Sequence, residues 1–236
     1  MKNFKVILLV FFVFGILVPS VPVFAAPAIV TSRAALGGDD FIDWSDLGSS
    51  FTVVADPFAI SSDSGDIDAT VSNPTGQFER RDQVGPGCSG WSGVFNPCDA
   101  LLWTQDTVGP MVIVFDPPVA AAGAQIQSDT FGAFTARIDV YNSANSLIGS
   151  FSLGGTSSGA GDNSAIFLGA SDPAGATIAR IEYSCNTVSS DFAINQLDLR
   201  IGQVSSIPTL NEWGMIIFSL LIAGTALIIM RKKMAA

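Results

Sequence analysis

Between residues 50 and 202 this chain predicts an all-β fold of two stacked sheets. Short alternating runs there are parted by Gly, Ser, Asn, Asp and Pro, and no stretch holds helical periodicity for three turns before Met215. Setting the two apolar ends aside leaves roughly 181 residues, Ala26 to Ser206, which suits one buried core better than two.

The amino end comes first. Lys2 and Lys5 precede a nearly continuous apolar run from Val6 to Val18, and Val23-Phe24-Ala25 offers the small-residue spacing that a signal peptidase requires. Residues 1–25 therefore read as a removable signal peptide. Cleavage is placed after Ala25, because a cut after Ala26 would put Pro27 directly past the scissile bond.

The next element is the domain 26–202, with strands predicted at 51–55, 67–72, 101–104, 111–116, 124–128, 133–141, 147–153, 164–169, 177–184 and 190–201. In 133–141, Phe134, Ala136, Ile138 and Val140 share one face, while Thr135, Arg137, Asp139 and Tyr141 share the other. Residues 142–146 carry turn chemistry, which makes 133–153 an antiparallel hairpin. In 190–201 the apolar parity changes from Phe192 and Ile194 to Leu197, Leu199 and Ile201, so a bulge near Asn195-Gln196 is needed to keep all five inside.

Charge and composition exclude several functions. Arg33, Arg80, Arg81, Arg137, Arg180 and Arg200 are the only cations of Ala26 to Ser206, a stretch that holds all but one of the 21 acids. Such a surface repels phosphate backbones, so nucleic acid is not an expected partner. The chain has no His, which removes Ser-His-Asp and Cys-His nucleophiles and the usual zinc sites. Cys88 and Cys98 would close an 11-residue ring; in an exported chain that pairing is the default, stabilising by roughly 2.8 kcal/mol on the chain-entropy estimate. Cys185, at the end of an expected strand, then reads as a buried thiol, although other pairings of the three stay open at this point.

The carboxyl end is the last element. Gly202 to Ser206 forms a spacer, with 203–206 joining the domain to the segment 207–236. The 18 residues Trp213–Met230 span about 27 Å as a helix, just enough for a hydrocarbon core of roughly 30 Å. Trp213 stands where an indole favours the water–lipid boundary, and Arg231, Lys232 and Lys233 favour the cytoplasmic side. A transmembrane helix over about 213–230 with an external amino-terminal domain is the expectation.

Ile207, Pro208, Thr209, Leu210, Trp213 and Gly214, followed by the apolar run and basic triplet, resemble the IPTL-CTERM bacterial sorting signal, a relative of the PEP-CTERM tails. The resemblance implies recognition by a membrane-embedded, exosortase-like cysteine protease, cleavage within 209–214, and passage of the domain to the cell surface or beyond. Composition alone is equally compatible with a plain single-pass anchor.

Leu101-Leu102-Trp103-Thr104, Phe131 to Ile138 and Asp191 to Asn195 look like the sandwich domains often attached to such tails. That likeness implies a jelly-roll or galactose-binding-like sandwich, with no catalytic residues to carry over. Sandwiches of this sort often hold a structural calcium between an early loop and the last strand, which nominates Asp39, Asp40 and Asp43 with Asp191. The plainer expectation is that these acids cap turns. Trp91, inside the Cys88–Cys98 ring, and Trp44, among polar neighbours, are the candidates for stacking on sugar rings, whereas Trp103 reads as buried.

The resulting expectation is a non-catalytic exported protein without a cofactor. Signal peptidase, an exosortase-like protease and, before processing, the membrane are its partners. Two other classes compete: a glycan- or matrix-binding module using Trp44 and Trp91, and a carboxylate-dependent hydrolase, for which twenty acids give no specific pair.

Overall fold

The structure, a computed structural model, describes residues 26–105, 109–185, 191–202 and 210–234; within the last span the described side chains are those of 216–225, 228, 230 and 231. The strands form two sheets packed face to face. In the larger, β1 (Ala28–Val30), β13 (Ile166–Ser171), β10 (Ala121–Ser128), β15 (Phe192–Ile194), β8 (Ala100–Trp103), β6 (Phe78–Gln83) and β3 (Thr52–Val54) follow one another. β16 (Leu197–Arg200) also pairs with β10, β2 (Asp40–Ile42) with β16, and β7 (Gly90–Trp91) runs parallel to β6. The second sheet is ordered β12 (Leu147–Ser157), β11 (Gly132–Tyr141), β14 (Ile178–Cys185), β9 (Met111–Val119), β5 (Asp68–Ser72) and β4 (Phe58–Ser61). A one-turn helix α1 (Arg33–Leu36) and a 3-10 turn (Trp44–Leu47) lie between β1 and β3.

The all-β sandwich matches the sequence expectation, and so does the reading of β11. Phe134, Ala136, Ile138 and Val140 are all buried in the inter-sheet core, while Arg137 is exposed on the opposite face. β11 and β12 form the expected hairpin, whose turn is held by the Asn142 Oδ1 accepting from the Ala144 and Ser146 amides, both at 3.0 Å.

Five strands are additional to the expected set: β1, β2, β4, β6 and β7. β6 is the instructive case, because Phe-Glu-Arg-Arg-Asp-Gln has one apolar residue. Its charges satisfy one another along the strand, Glu79 with Arg81 at 2.8 Å and Arg80 with Asp82, so that a polar segment occupies the sheet interior. β9 runs past its expected end at 116. Pro117 and Pro118 fall where the β14 register jumps from Val114 to Val119, in the stretch that needs no ladder donor on that side.

The parity change in 190–201 is resolved as anticipated. Ile126 faces Ile194 and Gly123 faces Asp198, so β10 takes three steps where its partner takes four. The extra residue lies at the Asn195–Gln196 junction of β15 and β16, and Phe192, Ile194, Leu197 and Leu199 all stay in the core, with Ile201 packed against it. Buried Asn195 repairs the interrupted ladder: its Oδ1 accepts from the Gln125 amide at 3.0 Å, and its Nδ2 donates to Gln125 Oε1 and Asp99 Oδ2 at 2.7 and 3.1 Å.

Residues 1–25, and with them the signal-peptide expectation and its Ala25 boundary, lie outside the described residues. Residues 210–234 form α2, a 25-residue helix. Among the described residues no helix is long and apolar enough to cross a membrane. The unbroken run of described side chains in α2 covers only 216–225, short of the ~20 residues a crossing requires, so the transmembrane assignment remains an expectation from the sequence.

Candidate functional site

The outer face of the larger sheet is partly covered by the loop between β6 and β8. Cys88 and Cys98 are bonded at 2.04 Å, as the sequence leads one to expect. Trp91, Val94 and Phe95 from this loop bury against Leu101 and Ala193 on the sheet and Ala165 just before β13, with Trp103 packed beside them. Two buried amides on that face clamp the loop: Gln83 Nε2 donates to the Gly93 carbonyl at 3.0 Å, and Gln127 Oε1 accepts from the Val94 amide at 2.7 Å. Gly93 leaves no room for a side chain, since a Cβ there would lie 2.2 Å from Trp91 Nε1 and 2.4 Å from Gln127 Oε1.

The loop stops short of one end of the sheet, leaving an open depression of about 220 Å³. Arg81 from β6, Trp103 from β8, Gly90 to Ser92 from the loop, and Asp129 and Phe131 from the β10–β11 turn line it. The Arg81 guanidinium lies between two rings, 4.4 Å from the Phe51 centroid and 4.7 Å from that of Trp103. Its Nη1 donates to the Gly90 carbonyl at 3.1 Å. Trp91 and Trp103 meet edge to face at 6.0 Å. Phe131 keeps 59% of its surface exposed.

Asp191 lies next to Asp129, whose amide donates to the Asp191 carbonyl at 2.8 Å. Asp129 is exposed as a residue, but its carboxyl is partly shielded. That shielding, then the charge and hydrogen bond of Asp191, hold it above the ordinary aspartate range, with Arg81 pulling the other way.

The expected glycan contacts need correction. Trp44 is 0% exposed, lies inside the inter-sheet core and donates from Nε1 to the Asn195 carbonyl at 2.7 Å, so it has no face to offer a ligand. Trp91 is 4% exposed; it borders the depression, but its ring is packed into the loop. Trp103, read as buried, is half-buried and lines the same depression. Sequence reasoning missed Arg81, Asp129 and Phe131. The one available signal was Phe131, an apolar ring within the turn Ser-Asp-Thr-Phe-Gly.

The candidate calcium ligands are dispersed among local roles. Asp39 accepts from the Ile201 amide at 2.7 Å, and Asp43 caps the 3-10 turn by accepting from the Ser45 amide at 2.9 Å. Asp40 accepts from the Phe41 and Ser64 amides and the Ser64 hydroxyl. Asp191 pairs with Asp129 instead, and among the described residues no three His, Cys, Asp or Glu are grouped to hold a metal. Cys185 is buried and free, its thiol pushed up to about 12 by burial.

Of the C-terminal sorting residues, Ile207, Pro208 and Thr209 lie outside the described residues. Leu210, Trp213 and Gly214 fall in the first turns of α2, and Arg231 is exposed near its end. The side chains of Lys232 and Lys233 are not among those described.

The family model of the IPTL-CTERM motif matches residues 205–232. No curated protein matches the chain. Among solved structures the chain is similar to a DUF4465 family protein from Bacteroides caccae ATCC 43185, at 11% identity and a TM-score of 0.34, covering 75% of this chain and 100% of that one. It is also similar to CsCBM6-3 from Clostridium stercorarium, solved in complex with cellobiose, at 12% identity and a TM-score of 0.27, covering 52% of this chain and 94% of that one. At that level of likeness neither transfers a ligand or an activity.

Proposed function

We propose that this chain is an exported, non-catalytic surface protein whose C-terminal segment is a sorting signal, cut by an exosortase-like membrane protease after signal peptidase has removed residues 1–25. The observation that carries the reading is the IPTL-CTERM match at 205–232, directly behind a β-sandwich that ends near residue 202. A disulfide within the sandwich fits an oxidising compartment. The apolar length of 213–230 and the basic residues 231–233 support a helix held in the inner membrane, with the sandwich outside the cytoplasm, until the cut releases it.

The paired substitution Pro208→Ala with Trp213→Ala tests this reading in the native host. It should leave the helix and its charges intact yet accumulate the uncut, membrane-bound precursor. Processing at the unaltered rate would mean that the motif is not what the protease reads. The alternative of a carbohydrate-binding module loses Trp44 and Trp91 as its platforms.

A further inference from the structure

We propose that the depression between Arg81, Trp103, Asp129 and Phe131 binds the terminal pyranose ring of a neutral glycan. This goes beyond the sorting reading and stands whether or not the tail is cut. Phe131 supplies the stacking surface. Its ring is more than half exposed, and the backbone of Gly159 backs it closely enough that a Cβ there would lie 3.3 Å from the ring. Exposed aromatic area of this kind gains most from a flat apolar face, and a pyranose presents one in its axial C–H groups.

The polar groups select the rest of the ligand. The Asp129 carboxylate accepts hydrogen bonds, the Ser92 hydroxyl does both, and Arg81 donates. Stacking between Phe51 and Trp103 fixes the guanidinium plane, whose Nη1 donates to the Gly90 carbonyl while Glu79 neutralises the charge from 2.8 Å beside Nε. Vicinal hydroxyls, each able to donate and accept, match this mixed set. A purely aromatic ligand would desolvate Asp129 and Ser92 without replacing their water.

Size and charge narrow the class further. At about 220 Å³ the space falls below the ~300 Å³ of sites for drug-sized ligands, which fits one ring at the end of a chain. Among the described residues that line the depression Arg81 is the only cation, and Glu79, Asp129 and Asp191 stand about it, so the site disfavours uronates and sulfated or phosphorylated sugars.

The test uses the full-length protein in a detergent without a sugar headgroup. It is titrated with the methyl glycosides of glucose, galactose, mannose and N-acetylglucosamine and with glucuronate, and followed by ligand-observed NMR and tryptophan fluorescence. At least one neutral glycoside should bind, glucuronate should not, and Phe131→Ala and Asp129→Asn should each weaken binding about tenfold or more, a loss typical of one well-placed contact. Phe131 is exposed, so Phe131→Ala should leave circular dichroism and Tm unchanged, while Asp129→Asn, which alters a partly shielded carboxyl beside Asp191, should keep the native circular dichroism. Absence of binding by every neutral glycoside, preference for glucuronate, or equal binding by both folded variants would overturn the assignment.

Discussion

The indole Nε1 of Trp44 donates to the backbone carbonyl of Asn195 at 2.7 Å inside the core, tying the 3-10 turn after β2 to the extra residue between β15 and β16. The same Asn195 uses its side chain to satisfy Gln125 and Asp99. Asn195→Ala removes these partners while leaving the Gln125 amide buried, and should cost about 3 kcal/mol. Urea denaturation should show a lower midpoint at an unchanged slope; an unchanged midpoint would mean that the bulge is held by its apolar neighbours alone.

Gly93→Ala should loosen the loop selectively. The new methyl would collide with Trp91 Nε1 and Gln127 Oε1, so the amide clamp must open. The expected result is a loss of about 1–3 kcal/mol, as for other overpacked sites, together with a changed tryptophan emission from Trp91 and Trp103. An unaltered Tm and spectrum would count against the clamp.

Replacing both Cys88 and Cys98 by Ser should lower stability by roughly 2.8 kcal/mol, the loop-closure value for this ring. Cys185 should behave in the opposite way. With its thiol buried and held mostly protonated at neutral pH, it should resist iodoacetamide in the native protein and label stoichiometrically in guanidinium. Rapid native labelling would show that β14 opens or packs less tightly.

Asp40 supplies a pH signature. Burial alone would raise its pKa, but hydrogen bonds from Ser62, Ser64 and the Phe41 amide outweigh that and hold it below the ordinary aspartate value. Its folded-state pKa is therefore the lower one, so the unfolded chain binds more protons in that window. Stability from Asp40 is present above the unfolded pKa, near 4, and is lost as pH falls through the folded one. Asp40→Asn should flatten that part of the acid limb in Tm measured against pH; an identical acid limb would contradict the assignment.

The sequence made legible whatever period two can encode. The buried face of β11 and the one-residue slip at 195–196 were both readable, because a parity change is visible in the order of apolar residues. β6 was not, since Glu79 pairs with Arg81 and Arg80 with Asp82 along the strand, an arrangement of charges that no hydrophobic pattern announces. Trp44 misled for a related reason: its acidic neighbours turn outward into loop hydrogen bonds, while the indole turns inward. The depression was invisible because Arg81, Trp103 and Asp129 are far apart in the chain and meet only through the order β6, β8, β15, β10.

The most direct measurement is intact-mass and terminal-peptide mass spectrometry of the protein from its native host, with and without the membrane sorting protease. A sorted surface protein gives a mature species that begins at Ala26 and ends within 207–214, and that species disappears when the protease is absent. Retention of the chain through Ala236 in both strains would contradict sorting and leave a simple membrane anchor.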